Sequence, residues 1–180
     1  MIPFETERLR VRRWEDRDRP GFHRLNSDPA VMRFFPFRRD RAESDAMLDR
    51  LNAMLDRDGM TFFALESKTD GALVGMTGLA RLKTDFPFAP GVEIGWRLLP
   101  EAWGKGYATE AARACLDRAF ATFDLAEVVS FCVDGNLASE AVMRRLGFRP
   151  DGVFDHPAVD PATHPHLVRH KLYRLPRPAE

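Results

Sequence analysis

The chain is poor in cysteine, with two in 180 residues, and its net charge is zero, 27 basic side chains balancing 27 acidic ones. Cys115 and Cys132 read as small buried thiols and give no sign of an oxidising compartment, although a disulfide between them stays open. The missing cationic excess argues against broad nucleic-acid binding, even though arginines cluster at 8–13 and 38–41. No apolar run approaches the roughly 18 residues of a membrane span, and no signal-peptide core is evident at the N-terminus. Internal repeats and low-complexity segments are also lacking. What is present is a 44% hydrophobic composition with 14 phenylalanines, enough for one good core. The expectation is one domain spanning 1–180, with a core of about 6–175, in a soluble cytoplasmic protein.

One stretch organises the rest. Residues 92–98 form an apolar-rich strand pattern that stops at Pro100, and Gly104-Lys105-Gly106 then opens a periodic segment. Counting from Ala108, small and apolar residues fall at Ala111, Ala112, Cys115, Leu116, Ala119, Phe120 and Phe123, one face of a helix. Glu110, Arg113, Asp117 and Arg118 take the other face. The first backbone amides of such a helix have no internal partner and carry partial positive charge, so a strand, a glycine loop and a helix start together make an anion site. Glycines let that backbone approach a phosphate closely. By itself such a turn is also an ordinary strand-to-helix connection.

Spacing narrows the ligand. A dinucleotide loop needs glycine or alanine three residues after Gly106, where this chain has Thr109, and a P-loop needs Gly-Lys-Ser/Thr after four spacer residues. The run Trp103-Gly104-Lys105-Gly106-Tyr107-Ala108 instead resembles the acyl-CoA pyrophosphate loop of the GNAT superfamily of N-acetyltransferases, Gln/Arg-x-x-Gly-x-Gly/Ala. Trp103 stands where Gln or Arg is usual, as in the branch of ribosomal-protein N-terminal acetyltransferases, the Rim type. Thr6-Glu7-Arg8-Leu9 is similar to the opening of those enzymes. A second motif follows in the family's order: Asn136, Ser139, Met143 and Gly147-Phe148 match Asn-x-x-Ala/Ser-x-x-x-Tyr-x-x-x-Gly-Phe. Asn136 also reads as a helix N-cap and Gly147 as its terminator.

The remaining elements follow from pattern. Alternation predicts strands over 9–14, 61–66, 73–79, 92–98, 128–133, 151–155 and 168–174. Asp28-Pro29 predicts a short helical turn through Phe34, and Asp40 with Glu43 caps a helix that Asp58-Gly59 ends. On that helix Met47, Leu48, Leu51, Met54 and Leu55 form a stripe read as core. The 83–91 loop, with two prolines and a glycine beside Phe86 and Phe88, reads as folding over an apolar surface, either an acceptor pocket or a subunit interface. The fold class is α/β (α+β). The resemblance makes it a mixed, mostly antiparallel sheet of about six or seven strands with about four helices, splayed between the strands at 92–98 and 128–133.

The resemblance implies acetyl-CoA as cosubstrate, no metal, and direct attack of an amine on the thioester. It places the pyrophosphate on amides from Gly104, Lys105, Gly106, Tyr107, Ala108 and Thr109, with Trp103 packing beside them. Pantetheine amides would pair with backbone at Leu98 and Leu99, and Asn136 and Ser139 would lie at the thiol end. Met143 has no proton to give where many relatives carry tyrosine, so Ser139 becomes the candidate acid. Glu93 is the candidate base, on a strand face shared with Gly95 and Arg97, although a lone strand glutamate also serves as an ion-pair partner. Asp155, His156 and His170 are candidates, with Phe86 and Phe88, for the acceptor pocket. The His164, His166 and His170 spacing fits no zinc pattern. The acceptor stays open between a protein N-terminus and a small amine such as a polyamine, an amino acid or an aminoglycoside. A non-catalytic acyl-CoA-binding module is the alternative, and a homodimer is possible for the family.

Overall fold

The described residues build a single eight-stranded sheet whose strands, numbered along the chain, lie in the spatial order 1-2-3-4-5-6-8-7. The computed structural model describes residues 3–179. Its strands are β1 (Phe4–Glu5), β2 (Leu9–Arg12), β3 (Phe62–Ser67), β4 (Leu73–Arg81), β5 (Val92–Leu98), β6 (Glu127–Val133), β7 (Arg149–Asp155) and β8 (Arg169–Pro176). The helices are α1 (Arg19–Ser27), α2 (Arg41–Asp58), α3 (Tyr107–Thr122), α4 (Leu137–Arg145) and the single turn α5 (Pro165–Val168). The sheet exceeds the expected count by the two-residue β1, too short to leave an alternation signal.

Every neighbouring pair is antiparallel except β5 and β6, which the α3 crossover makes parallel. These two strands meet at one residue pair, Glu93 opposite Val129, and then diverge. The expected splay is therefore present, at the strands expected. Ser130 on β6 donates its hydroxyl hydrogen bond to the Ile94 carbonyl at 3.0 Å, near the point where the gap opens.

Helix α3 buries Ala108, Ala111, Ala112, Cys115, Leu116, Ala119 and Phe120, the predicted face, against Leu9, Phe63, Leu79 and Ile94. The opposite sheet face packs Ala64 and Met76 against Phe22 and Leu25 of α1 and Leu48 and Leu51 of α2. Each fully buried side chain of this size contributes about 1.5–3 kcal/mol of transfer free energy. Helix α2 has its capping box: the Glu43 amide donates to Asp40 Oδ1 at 2.8 Å and the Asp40 amide to Glu43 Oε2 at 3.0 Å. Gly59, in the left-handed region, ends it. Helix α1 was not among the expected elements; its Pro20 sits in the first turn, where proline is tolerated. The 28–34 segment is a turn, with Asp28 Oδ1 accepting from the Ala30 amide at 2.8 Å. Cys115 and Cys132 are both free thiols. No helix among the described residues is long and apolar enough to cross a membrane.

Candidate active site

The diverging strands open into one continuous cavity of about 1320 Å³. Its lining runs from Gly104, Gly106 and Thr109 at the start of α3, past Leu98, Asn136 and Ser139, to Glu93, His156 and His170. It continues beneath the 30–39 segment to Phe35, Arg39 and Arg97. Met47 and Met54 also line it, so two members of the α2 stripe face the cavity while Leu48, Leu51 and Leu55 are core.

At the α3 end the backbone makes the site. Gly106 is the N-cap with φ of 80°, and no side chain caps the helix, leaving its first amides available. Gly104 also has positive φ, 74°, and a Cβ there would meet nothing within 4 Å, so it faces open space. Lys105 is exposed and lies outside the lining; its carbonyl accepts a hydrogen bond from Arg8 Nη1 at 2.9 Å. Arg8 pairs with Glu110 at 2.6 Å and stacks over Tyr107, 4.8 Å from the ring centre. Thr6 donates to Glu110 as well, at 2.5 Å. The connection between β1 and β2 thus clamps the loop, a role for Thr6, Arg8 and Glu110 that pattern reading missed. The 6–9 run carried a signal, but not its distant partner.

Along β5, backbone groups alternate between the two neighbouring strands. The Gly95 carbonyl accepts from Thr77 on β4, whereas the Ile94 carbonyl accepts from Ser130 on β6. The Ile94 parity therefore directs the backbone of Trp96 and Leu98 into the gap, where β6 no longer pairs. Trp103 is half-exposed and donates its indole N–H to the Leu98 carbonyl at 2.9 Å, fixing the ring beside the loop. The Leu99 expectation needs correction. Its amide already donates to the Val74 carbonyl at 3.0 Å and its side chain is buried in the α1–α2 core, so it does not face the cavity. Trp96, not Leu99, shares the strand parity of Leu98.

Asn136 caps α4, its Oδ1 accepting from the Ser139 amide at 3.3 Å. The Ser139 side chain lines the cavity, and its hydroxyl has no hydrogen-bond partner among the described residues. Met143 is completely buried in the core on the α3 side. It packs rather than reacts.

The acceptor-side candidates divide. Glu93 lines the cavity, half-buried, and burial pushes its carboxyl up to about 7, only partly opposed by Lys83. The ion pair with Arg97 that would have explained it structurally is not formed; Arg97 binds the Asn26 side-chain oxygen instead, at 2.7 Å. His156 and His170 approach to 4.7 Å between ring centres. Burial, then His170, holds His156 down to about 4, and burial also lowers His170, so both rings are neutral at pH 7. His170 Nδ1 faces the Val168 carbonyl at 3.1 Å and must donate, leaving Nε2 as an acceptor. His156 Nδ1 accepts from the Ala158 amide at 3.1 Å, so its proton is on Nε2. Phe86 packs edge-on against His156 and lines the cavity. Phe88 packs behind it on Phe131 and Phe154. Asp155 is not brought to the site: its side chain is exposed and paired with Arg169 at 3.2 Å, on the other side of the alternating strand. Among the described residues no group of three or more metal-ligating side chains converges.

The acetyltransferase (GNAT) domain model matches residues 8–149. The chain belongs to the GNAT acetyltransferase family. It is an acyltransferase of the kind that moves an acetyl group from acetyl-CoA to an amine. Protein YkkB of Bacillus subtilis is 31% identical over 143 residues, 79% of this chain and 82% of that one. FsC-acetyl coenzyme A-N(2)-transacetylase of Aspergillus fumigatus is 34% identical over 131 residues, 69% of this chain and 55% of that one. The ribosomal alpha-N-protein acetyltransferase RimL, solved with coenzyme A, superposes with a TM-score of 0.80 over 100% of both chains. At 17% identity that likeness is one of fold. The residues at the α3 end fit the GNAT cosubstrate: an uncapped helix start with two positive-φ glycines suits a pyrophosphate, and the unpaired β5 edge suits an amide-bearing arm.

Proposed function

We propose that this chain is one acetyltransferase domain that acetylates a primary amine, with Glu93 as base and Ser139 as acid. The observation that carries the reading is the single cavity joining the α3 amides to a half-buried carboxyl whose proton affinity sits near neutrality. Acetyl-CoA, when bound, supplies a thioester carbonyl open to attack. Gly104, Gly106 and the first amides of α3 would hold its pyrophosphate, and the backbone of Trp96 and Leu98 its amide arm.

The chain's own groups then do the proton work. A substrate amine is a nucleophile only without its proton, and Glu93 removes it, directly or through a water. A base with affinity near 7 is half in its active form at neutral pH, which matches it to the task. The His170 Nε2 lone pair and the His156 Nε2 proton offer a complementary acceptor and donor to orient the amine or that water. On the far side of the gap Ser139, its hydroxyl otherwise unengaged, hydrogen-bonds the departing sulfur. Phe86 closes one wall and excludes water.

The names of FsC-acetyl coenzyme A-N(2)-transacetylase and of RimL, a ribosomal L7/L12 alpha-N-protein acetyltransferase, say what those two proteins act on and nothing more. The shared chemistry supports an amine acceptor here. The test is thiol release from acetyl-CoA against a panel of small amines and peptides differing in their first residue. Saturable turnover with at least one amine is expected; saturable acetyl-CoA binding with no transfer across the panel would make the chain a binding module.

A further inference from the structure

Many arginines of this chain pair with carboxylates, as in Arg13 with Asp56, Arg24 with Glu101, and Arg177 with Asp124, and those left without one are mostly exposed to water. The cavity beneath the 30–39 segment breaks that pattern. Arg39 and Arg97 both line it, and among the described residues neither has a carboxylate partner. Arg97 is more than nine-tenths buried, and its Nε has no hydrogen-bond partner there. Nη1 of Arg39 is also buried and unpartnered. Each guanidinium lies against an aromatic ring: Arg97 is 4.2 Å from the Phe35 ring centre and Arg39 is 4.2 Å from that of Phe37. The nearby carboxylate that acts on Arg39, Glu43, is engaged with the Asp40 amide, and Arg50 opposes it.

Leaving a buried guanidinium with free N–H groups is costly, and a folded chain keeps such groups where a ligand completes them. Arg97 Nη1 is spent on Asn26 Oδ1 and the Leu25 carbonyl, whereas Arg97 Nε and Arg39 Nη1 keep N–H groups that an oxyanion could receive. Arg97 lies on the β5 face of Glu93, four residues on, about 13 Å along the strand at ~3.3 Å per residue. Gly95 stands between them, and the edge of the Phe62 ring, 3.2 Å from where its Cβ would be, forms the apolar wall of the cavity there.

We propose that Arg39 and Arg97 bind an oxyanion carried by the acceptor, so that the substrate is an amine bearing a carboxylate or phosphate rather than a polyamine. This rests on the reading that Glu93 receives the amine in the same cavity. Two cations at the distal end repel a second ammonium and attract a negative group.

A matched series tests it: hexylamine, ω-aminohexanoate, ω-aminohexyl phosphate and diaminohexane, each assayed by thiol release from acetyl-CoA. One of the two anionic amines is expected to exceed hexylamine in kcat/KM by about tenfold or more, mainly through KM, with diaminohexane lowest. Which anionic member leads distinguishes carboxylate from phosphate. Arg39→Gln, in a segment outside the core, should bring the anionic-to-neutral ratio toward one, and Arg97→Gln should do the same if it folds. A ratio near one in the wild type, a preference for diaminohexane, or a ratio unchanged in Arg39→Gln overturns the proposal while leaving acetyl transfer intact. Should no amine be acetylated, the functional reading fails, and calorimetric binding of ω-aminohexanoate against hexylamine decides this one. Tighter binding that Arg39→Gln abolishes supports the oxyanion site, and equal or undetectable binding of both contradicts it.

Discussion

The two ends of the cavity are built by different means. At the α3 end, backbone does the binding: uncapped amides, two positive-φ glycines and the unpaired edge of β5 come from one stretch of about a dozen residues. The other end is assembled from side chains on five separate segments, with Glu93 and Arg97 from β5, Arg39 before α2, Phe86 from the 83–91 loop, His156 just after β7 and His170 from β8. A backbone site tolerates change in most of its side chains and suits a ligand that the whole family shares. A side-chain site can be altered one residue at a time, and so suits what distinguishes one member's acceptor from another's.

That comparison can be broken most sharply at Glu93. Glu93→Gln keeps shape and removes the base, so kcat should fall by about 10²–10⁴-fold while the acetyl-CoA dissociation constant, measured by calorimetry, stays within about twofold. Weakened cosubstrate binding of similar size would show that the two ends are not separable. Ser139→Ala stands next. A loss of about tenfold to a hundredfold in kcat is expected, the low end of acid assistance because a thiolate leaves readily, with unchanged acetyl-CoA affinity. An unaltered kcat where chemistry limits turnover removes Ser139 as the acid.

Gly106→Ala probes the backbone end in the opposite sense. A Cβ at φ of 80° adds strain of about 1 kcal/mol and crowds Arg8 Nη2, 3.4 Å from where it would sit. Acetyl-CoA affinity should drop by about fivefold to tenfold, with the acceptor KM hardly moved; an effect on the acceptor alone would invert the assignment. Asp155→Asn, smallest of all, should leave kcat/KM within about twofold for any acceptor, because its exposed pairing with Arg169 lies away from the cavity.

The same contrast explains what could be read in advance. Helix α3, the 104–106 loop, the capping box of α2 and the Asn136 cap are local patterns, and all stand where spacing puts them. The splay at β5 and β6 followed from the family resemblance. Leu99 was misplaced because strand alternation decides which amides face the gap, and its phase shows only once Thr77 and Ser130 take opposite carbonyls. Asp155 was misplaced for a related reason: adjacent strand residues face opposite ways, and His156 took the inner position. Arg39 stood in the 38–41 arginine cluster and Arg97 on the strand face of Glu93, but an arginine's lack of a partner is a property of its three-dimensional surroundings. Met47 and Met54 likewise looked like core, because a helix face against the sheet and one against a cavity are equally apolar.

The central claim is that a half-buried carboxyl in this cavity does the acceptor's proton work, and the dependence of kcat on pH tests it most directly. With acetyl-CoA and an amine both saturating, wild-type kcat should rise with pH through an inflection near 7, where Glu93 loses its proton, and level off above it. Glu93→Gln should lack that inflection. The same inflection in both proteins would contradict the account.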